Sequence, residues 1–272
     1  MKDEFFVGYT EDMPPTFRKN VSRFVWIVGI ALPVIGALVV LSQRGFSTGT
    51  YELGSLTKLQ GVVFMDPVPS MRILGTPDAQ GVIPSQTVLL MSFGKFGAEK
   101  DLEAIAERVK TQHGKGLSEV LLTLEGTLDY RDGKTMFELS KNEASLLDIQ
   151  AMIPNDDPNH VTPKLHSKGE VSLTGEIVDS KCYFGTMKPG EGKPHRSCAI
   201  RCISGGIPPI LMVTNEVGQK EAYLLRGPKG EAIGKEVLDV VADPVEVSGI
   251  LLGFDHWNIL QVDPKTGIRR IE

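Results

Sequence analysis

The chain has 272 residues, of which 41% are hydrophobic, and it carries a net charge of −5 with an isoelectric point near 5.6. This length is sufficient for one or two domains, and the acidic balance argues against a nucleic-acid partner, which would require a basic surface. The three cysteines are too few for a disulfide scaffold. Their odd number leaves either one disulfide with a free thiol or three thiolates on a metal.

The first predicted element is a membrane-spanning helix at residues 24–41, a run without any charged side chain. Arg18, Lys19 and Arg23 precede this run, whereas only Arg44 follows closely. The positive-inside rule therefore predicts that residues 1–23 form a cytoplasmic tail and that the rest of the chain is periplasmic, anchored in a bacterial inner membrane. A cleaved signal peptide is the alternative, although no small-residue cleavage site follows the run.

The remainder of the chain contains a glycine motif that occurs twice in each half. Its form is apolar-x-Gly-x-apolar, and its glycines are Gly61, Gly126, Gly175 and Gly249. A glycine in the middle of a strand indicates a bulge or a tight bend, as at the corner of a β-barrel. The motif therefore predicts that each half forms a barrel with two such corners.

The order of predicted elements is the same in both halves: three strands, a helix and two strands. In the first half, the strands are residues 58–65, 71–74, 87–93, 120–130 and 135–139, and the helix is residues 98–113. In the second half, the strands are residues 170–179, 210–214, 222–225, 245–253 and 258–262, and the helix is residues 231–241. This order is the one that an OB-fold requires.

The predicted fold class is therefore mainly β with a few helices, in which one N-terminal transmembrane helix precedes two tandem OB-like β-barrels. The first barrel is assigned to residues 56–149 and the second to residues 169–272. Residues 150–168, which include three prolines, are predicted to form the linker between them.

All three cysteines and one histidine lie in the segment between the first two strands of the second half. Cys182, His195, Cys198 and Cys202 have the spacing C-x12-H-x2-C-x3-C. A short helix is predicted at residues 195–204, because two glycines and two prolines terminate it. The histidine and the last two cysteines then share one helix face, and Cys182 approaches from the preceding loop. These four residues are the predicted ligands of a Cys3His metal site.

Three interpretations of this cluster remain open. Thiolates and an imidazole suit Zn²⁺, Cu⁺ or an iron–sulfur centre, with no choice among them. A disulfide of Cys182 with Cys198 or Cys202 would instead fasten the loop to the barrel. Thiol redox chemistry is the third interpretation, since basic residues nearby favour a thiolate. Asp179 is predicted to form a turn or a helix cap, or to orient His195.

The second half also resembles a family of small exported bacterial proteins, usually described only as OB-fold or hypothetical proteins. The shared pattern is G-E-x-V-D-x-x-C, then H-x-x-C-A, then C-x-x-G-G. The matching residues are Gly175, Glu176, Val178, Asp179, Cys182, His195, Cys198, Ala199, Cys202, Gly205 and Gly206. The resemblance covers about 100 residues from Glu170 onwards, and it implies the fold, export and the cysteine–histidine cluster.

No nucleophile–base pair, phosphate-binding loop or paired carboxylates stand out, so no catalytic residue and no catalytic activity of its own are predicted. We expect a membrane-anchored periplasmic accessory subunit of a bacterial respiratory or other redox complex. Its partners would be the membrane and the other subunits of that complex. The alternatives are a stand-alone, metallochaperone-like metal-binding protein and a structural interaction module whose loop is held by a disulfide.

Overall fold

The computed structural model describes residues 14–42, 48–75, 85–152 and 162–271. The chain divides into two compact units, Met1–Phe46 and Ser47–Glu272. Most of the predicted cytoplasmic tail, residues 1–13, and the middle of the predicted linker, residues 153–161, lie outside the described ranges.

The first unit contains one long helix, α1 (Pro15–Ser42), which includes the predicted apolar run. Proline suits the first position of a helix, where its missing N–H is not needed. The helix is about 42 Å long, its most apolar window has a mean hydropathy of 2.7, and none of that window is buried within the protein. By length and composition α1 can therefore cross a membrane, as an anchor or as a signal sequence.

The first barrel lies between residues 50 and 151, and its described residues form seven strands and one long helix. The strands are β1 (Thr50–Tyr51), β2 (Thr57–Phe64), β3 (Ser70–Leu74), β4 (Ser85–Met91), β5 (Val120–Arg131), β6 (Lys134–Leu139) and β7 (Leu146–Ala151), and helix α2 (Glu99–His113) lies between β4 and β5. The pairing order β2-β3-β4-β6-β5-β2 closes the sheet on itself, while β1 and β7 both add to β5.

The second barrel repeats this arrangement. Its strands are β8 (Leu165–Asp179), β9 (Pro209–Thr214), β10 (Lys220–Arg226), β11 (Pro244–Phe254), β12 (Trp257–Gln261) and β13 (Ile268–Arg270). The pairing order is β8-β9-β10-β12-β11-β8, with β13 on β11. The pairs β4–β6 in the first barrel and β10–β12 in the second are parallel, and the other core pairs are antiparallel. The predicted fold of two tandem OB-like barrels is confirmed.

The four predicted corner glycines lie where a strand changes its pairing partner. Gly61 ends the pairing of β2 with β5 and precedes its pairing with β3, and Gly126 has the same position on β5. Gly175 directly precedes the pairing of β8 with β9, and Gly249 directly precedes the pairing of β11 with β12, while β11 stays paired with β8. A Cβ atom at any of the four would overlap the carbonyl oxygen of the adjacent strand. The tight bend at each corner therefore requires glycine.

Two element boundaries differ from the prediction by more than two residues. The helix expected at residues 231–241 is a 3₁₀ helix at Lys235–Val240, because Ala232 forms a bridge with Arg226 that keeps the preceding backbone extended. Strand β8 begins at Leu165, inside the predicted linker, because β11 continues to Phe254 and pairs with it there. Strands β1, β7 and β13 were not predicted; β1 and β7 add to the long strand β5, and β13 adds to the long strand β11.

The two barrels pack together in one compact unit. One apolar cluster combines side chains of both, and Trp257, fully buried on β12, donates a hydrogen bond of 3.0 Å from Nε1 to the carbonyl oxygen of Thr87 on β4. The cluster comprises Val68, Leu89, Met91, Met136, Val178, Cys182, Tyr183, Phe184, Cys202, Ile207, Ile210, Met212, Ala222, Leu224, Phe254, Trp257 and Ile259. Because two of the cysteines belong to it, the candidate site lies where the barrels meet.

Candidate cysteine–histidine metal site

The cysteine segment connects β8 to β9 through two short helices. Helix α3 (Ser180–Phe184) begins after Asp179, whose Oδ1 accepts a hydrogen bond of 2.8 Å from the backbone N–H of Cys182. A 3₁₀ turn then leads into α4 (Arg196–Ser204), which ends at Gly205. The predicted helix is confirmed to within one residue, and aspartate in the capping position explains where α3 begins.

Three of the four predicted ligands form one compact group. A sulfur of Cys182, a ring nitrogen of His195 and the sulfur of Cys198 all lie within 4.8 Å of one another. The sulfurs of Cys182 and Cys198 are 3.9 Å apart. Two thiolates bound to one tetrahedral zinc ion would be about 3.8 Å apart. The observed spacing therefore suits a shared metal ion without rearrangement of the backbone.

Cys202, the fourth predicted ligand, falls into a different group with Asp179 and Cys182. His195 and Cys202 are seven positions apart, about 10 Å along the axis of a helix, so the two fall into different groups. The thiol of Cys202 nevertheless hydrogen-bonds to those of Cys182 and Cys198, and its role as a fourth ligand stays a prediction. Cys182 lies between the two groups and can contribute to either.

The predicted disulfide alternative is not formed in the structure. Cys182, Cys198 and Cys202 are all free thiols, and two of them are buried. The sulfurs of Cys182 and Cys198, 3.9 Å apart, form a hydrogen-bond contact and not a covalent bond. All three sulfurs are therefore available as ligands.

His195 is held by Asp179. Its Nε2 lies 2.9 Å from Oδ2 of Asp179, and the two side chains are 3% and 0% exposed. A carboxylate acceptor favours the tautomer with its proton on Nε2, in which the lone pair of Nδ1 can bind a metal. Asp179 thus acts both as the helix cap and as the residue that orients His195, two of the roles considered from the sequence.

The three thiols have different electrostatic surroundings. A hydrogen bond to Cys202, burial and the carboxylate of Asp179 raise the pKa of the Cys182 thiol. The same hydrogen bond from Cys182 lowers the pKa of Cys202, against the effect of burial. Burial raises the pKa of Cys198, while the ammonium group of Lys95 acts in the opposite direction. Metal binding here would release protons, because the ligand is the thiolate.

Two residues outside the predicted set also contact the site. Nζ of Lys95, on the loop after β4, donates a hydrogen bond of 3.1 Å to Sγ of Cys198. The thioether sulfur of Met187 lies 3.6 Å from the same sulfur. Met187 lies only five residues after Cys182, so the sequence weakly indicates that it is near the site. Lys95 lies in the other barrel, and nothing in the sequence indicates its contact with Cys198.

The first barrel forms one wall of the site and fixes the cysteine segment through α3. Lys181 forms an ion pair of 3.0 Å with Glu138 and donates hydrogen bonds to the carbonyl oxygens of Ser92 and Gly94. On the other side of α3, the guanidinium group of Arg131 donates to the carbonyl oxygen of Tyr183. Because these groups are buried, their loss would leave unpaired charges.

The site opens to solvent on one side. Cys182 and His195 are buried, whereas Cys198 is half-buried and Met187 is 44% exposed. An ion held by the first two residues would therefore be reachable from outside at Cys198.

A scan of protein-family models found no match to this chain, and a search of curated proteins found no similar sequence. The resemblance of the second half to exported OB-fold proteins therefore stays a prediction. A Cys/His/Cys group at metal-binding distance, on an OB-like barrel preceded by an apolar helix, is what the structure establishes.

Proposed function

We propose that this chain is a membrane-anchored periplasmic protein that binds a transition-metal ion at Cys182, His195 and Cys198. The observation that supports it is the proximity of three ligand atoms, all within 4.8 Å of one another. Neither of the two cysteines among them is in a disulfide. Thiolate and imidazole ligands bind Zn²⁺ and Cu⁺ with high affinity. The open side at Cys198 favours an ion that is taken up and passed on, as in a metallochaperone.

The test is metal analysis of the full chain, purified in mild detergent and kept reduced. The wild-type protein is expected to bind one Zn²⁺ or Cu⁺ ion, and Cys182→Ser and Cys198→Ser are expected to lose it. Ser204→Ala, at the exposed end of α4, is the matched control and should retain the ion. Cys202→Ser tests whether the predicted fourth ligand takes part. A wild-type protein that binds neither ion, or a Cys198→Ser variant that binds as tightly as the wild type, would contradict the proposal.

A second candidate is the accessory subunit of a redox membrane complex. Phe93 and Phe96 are 62% and 54% exposed, and they flank Lys95, which contacts Cys198. Exposed aromatic side chains beside a site are typical of an interface with another protein. In this case a partner subunit would cover the open side.

This candidate is tested by isolating the protein from its native membrane in mild detergent. A stable complex of defined composition, lost in the Phe93→Ser/Phe96→Ser variant while metal binding persists, would support it. A protein that migrates alone under these conditions would leave the stand-alone metal-binding protein as the function.

A further inference from the structure

We propose that the site is selective for Cu⁺ and that Met187 supplies an additional ligand to it. This inference rests on the proposed function and names the ion that the site takes. It starts from the distance of 3.6 Å between the Met187 and Cys198 sulfurs, which is close to the spacing of two donors on one ion. Thiolate and thioether are both soft ligands, and their combination selects Cu⁺.

The backbone holds Met187 in this position. Gly190 has a φ of +70°, and a Cβ atom on it would overlap the carbonyl oxygen of Cys182. Only glycine allows the loop to return this closely to α3. The turn at Gly190 therefore places the thioether of Met187 on the open side of the site, beside the half-buried Cys198.

The exposure of Met187 supports a role at the site. A methionine side chain is apolar, and one that only filled space would gain more from burial. Met187 is instead 44% exposed, and its sulfur points to a cysteine sulfur. A neutral, flexible thioether at the entrance can bind an arriving Cu⁺ ion first and then remain as a ligand.

The charges near the site do not decide between the two ions. Two thiolates balance one Zn²⁺ ion, and the single charges of the Lys95 ammonium and the Asp179 carboxylate cancel in the sum. With Cu⁺ the same groups leave one negative charge, which the solvent on the open side can screen. The softness of the ligands is therefore the property that discriminates, and the thioether is the ligand that Zn²⁺ does not use.

The test is a competition titration of the full chain in detergent against chelators of Cu⁺ and of Zn²⁺, under reducing and anaerobic conditions. Met187→Leu keeps the size and apolar character of the side chain and removes the sulfur. We expect it to weaken Cu⁺ binding at least about tenfold and to leave Zn²⁺ binding within about twofold. Met65→Leu is the matched control, since Met65 packs against the core of the first barrel.

The outcomes separate this inference from the proposed function. If Met187→Leu changes neither affinity, or lowers both equally, Met187 is not a Cu⁺ ligand and the inference is wrong, while metal binding at the other three residues stands. If the wild-type chain binds neither Cu⁺ nor Zn²⁺, the proposed function itself fails. Circular dichroism of the variants confirms that each is folded before titration.

Discussion

Oδ2 of Asp179 lies 2.9 Å from Nε2 of His195, and the other oxygen of the same carboxylate caps α3 at the N–H of Cys182. One buried carboxylate thus orients two of the three candidate ligands. It connects the backbone that carries Cys182 to the imidazole that approaches from the start of α4.

The first prediction concerns this carboxylate. In Asp179→Asn the amide oxygen can still cap α3, but the amide NH₂ would face Nε2 of His195. The imidazole would then move its proton to Nδ1, which could no longer bind a metal. We expect metal affinity to fall by about 10- to 100-fold.

The control for this substitution is thermal stability. Asparagine is as good a helix cap as aspartate, so the unfolding temperature should change little. Asp179→Ala should lose both the metal affinity and about 1 kcal/mol of stability. An Asp179→Asn variant with wild-type metal affinity would contradict the assigned role.

The second prediction concerns Lys95, whose ammonium group contacts the Cys198 sulfur and favours the thiolate. Lys95→Met should raise the pKa of Cys198, so that a smaller fraction is thiolate near neutral pH. Alkylation of Cys198 in the metal-free protein should therefore become severalfold slower. Mass spectrometry of the modified peptide identifies the residue. Lys100→Met, exposed on α2, should alkylate at the wild-type rate.

The third prediction concerns pH and Asp129, which lies on β5 and accepts a hydrogen bond of 2.7 Å from the Thr186 hydroxyl. Burial raises the pKa of Asp129 from 3.8 to about 7. A carboxyl group whose pKa is raised by folding contributes stability that is fully present below pH 3.8 and is lost as the pH rises through about 7. The difference is at most about 4 kcal/mol.

This loss can be measured by urea unfolding, followed through the fluorescence of the buried Trp257, at about pH 5 and about pH 8. Wild type should be more stable at the lower pH than at the higher. Asp129→Asn mimics the protonated group, so its stability should change less between the two conditions. An equal change in both proteins would show that Asp129 ionises normally.

The fourth prediction concerns the barrel corners. A Cβ atom at Gly175 would overlap the carbonyl oxygen of Met212 on the adjacent strand. Gly175→Ala should therefore destabilise the protein by about 2–3 kcal/mol, since neither backbone can move freely. Gly116→Ala is the matched control: its φ of −84° suits alanine, and the nearest atom belongs to the flexible side chain of Glu119. Its unfolding free energy should change by less than about 1 kcal/mol.

Much of the fold follows from short stretches of sequence. The glycines at the corners were recognisable because a strand that changes partner bends within a few residues, and the same motif occurs at equivalent places in both halves. Helix α4 was recognisable because Gly205 and the prolines after it end a helix locally. His195, which caps α4, and Cys198 are three positions apart and so share one helix face, and the structure confirms that they lie together.

The sequence was less informative about which ligands converge. Cys202 shares a helix face with His195, but it groups with Asp179 and Cys182, and its thiol also hydrogen-bonds to Cys198. Periodicity reports the direction of a side chain and says little about its position along the axis. The loop that brings Met187 to Cys198 depends on a turn at Gly190 that has no distinct pattern.

The sequence alone predicted the order of the strands, the barrel corners, the apolar helix and the segment that carries the cysteines. Local backbone geometry and hydrophobic spacing determine these features, and both involve residues that are neighbours along the chain. The packing of the two barrels could not, nor could the contact of Lys95 with Cys198, which joins residues 103 positions apart. Such contacts depend on how the two closed barrels bury their apolar surfaces against each other. The strand pattern within each barrel does not determine this packing, because each barrel closes its own hydrogen-bonded sheet without the other.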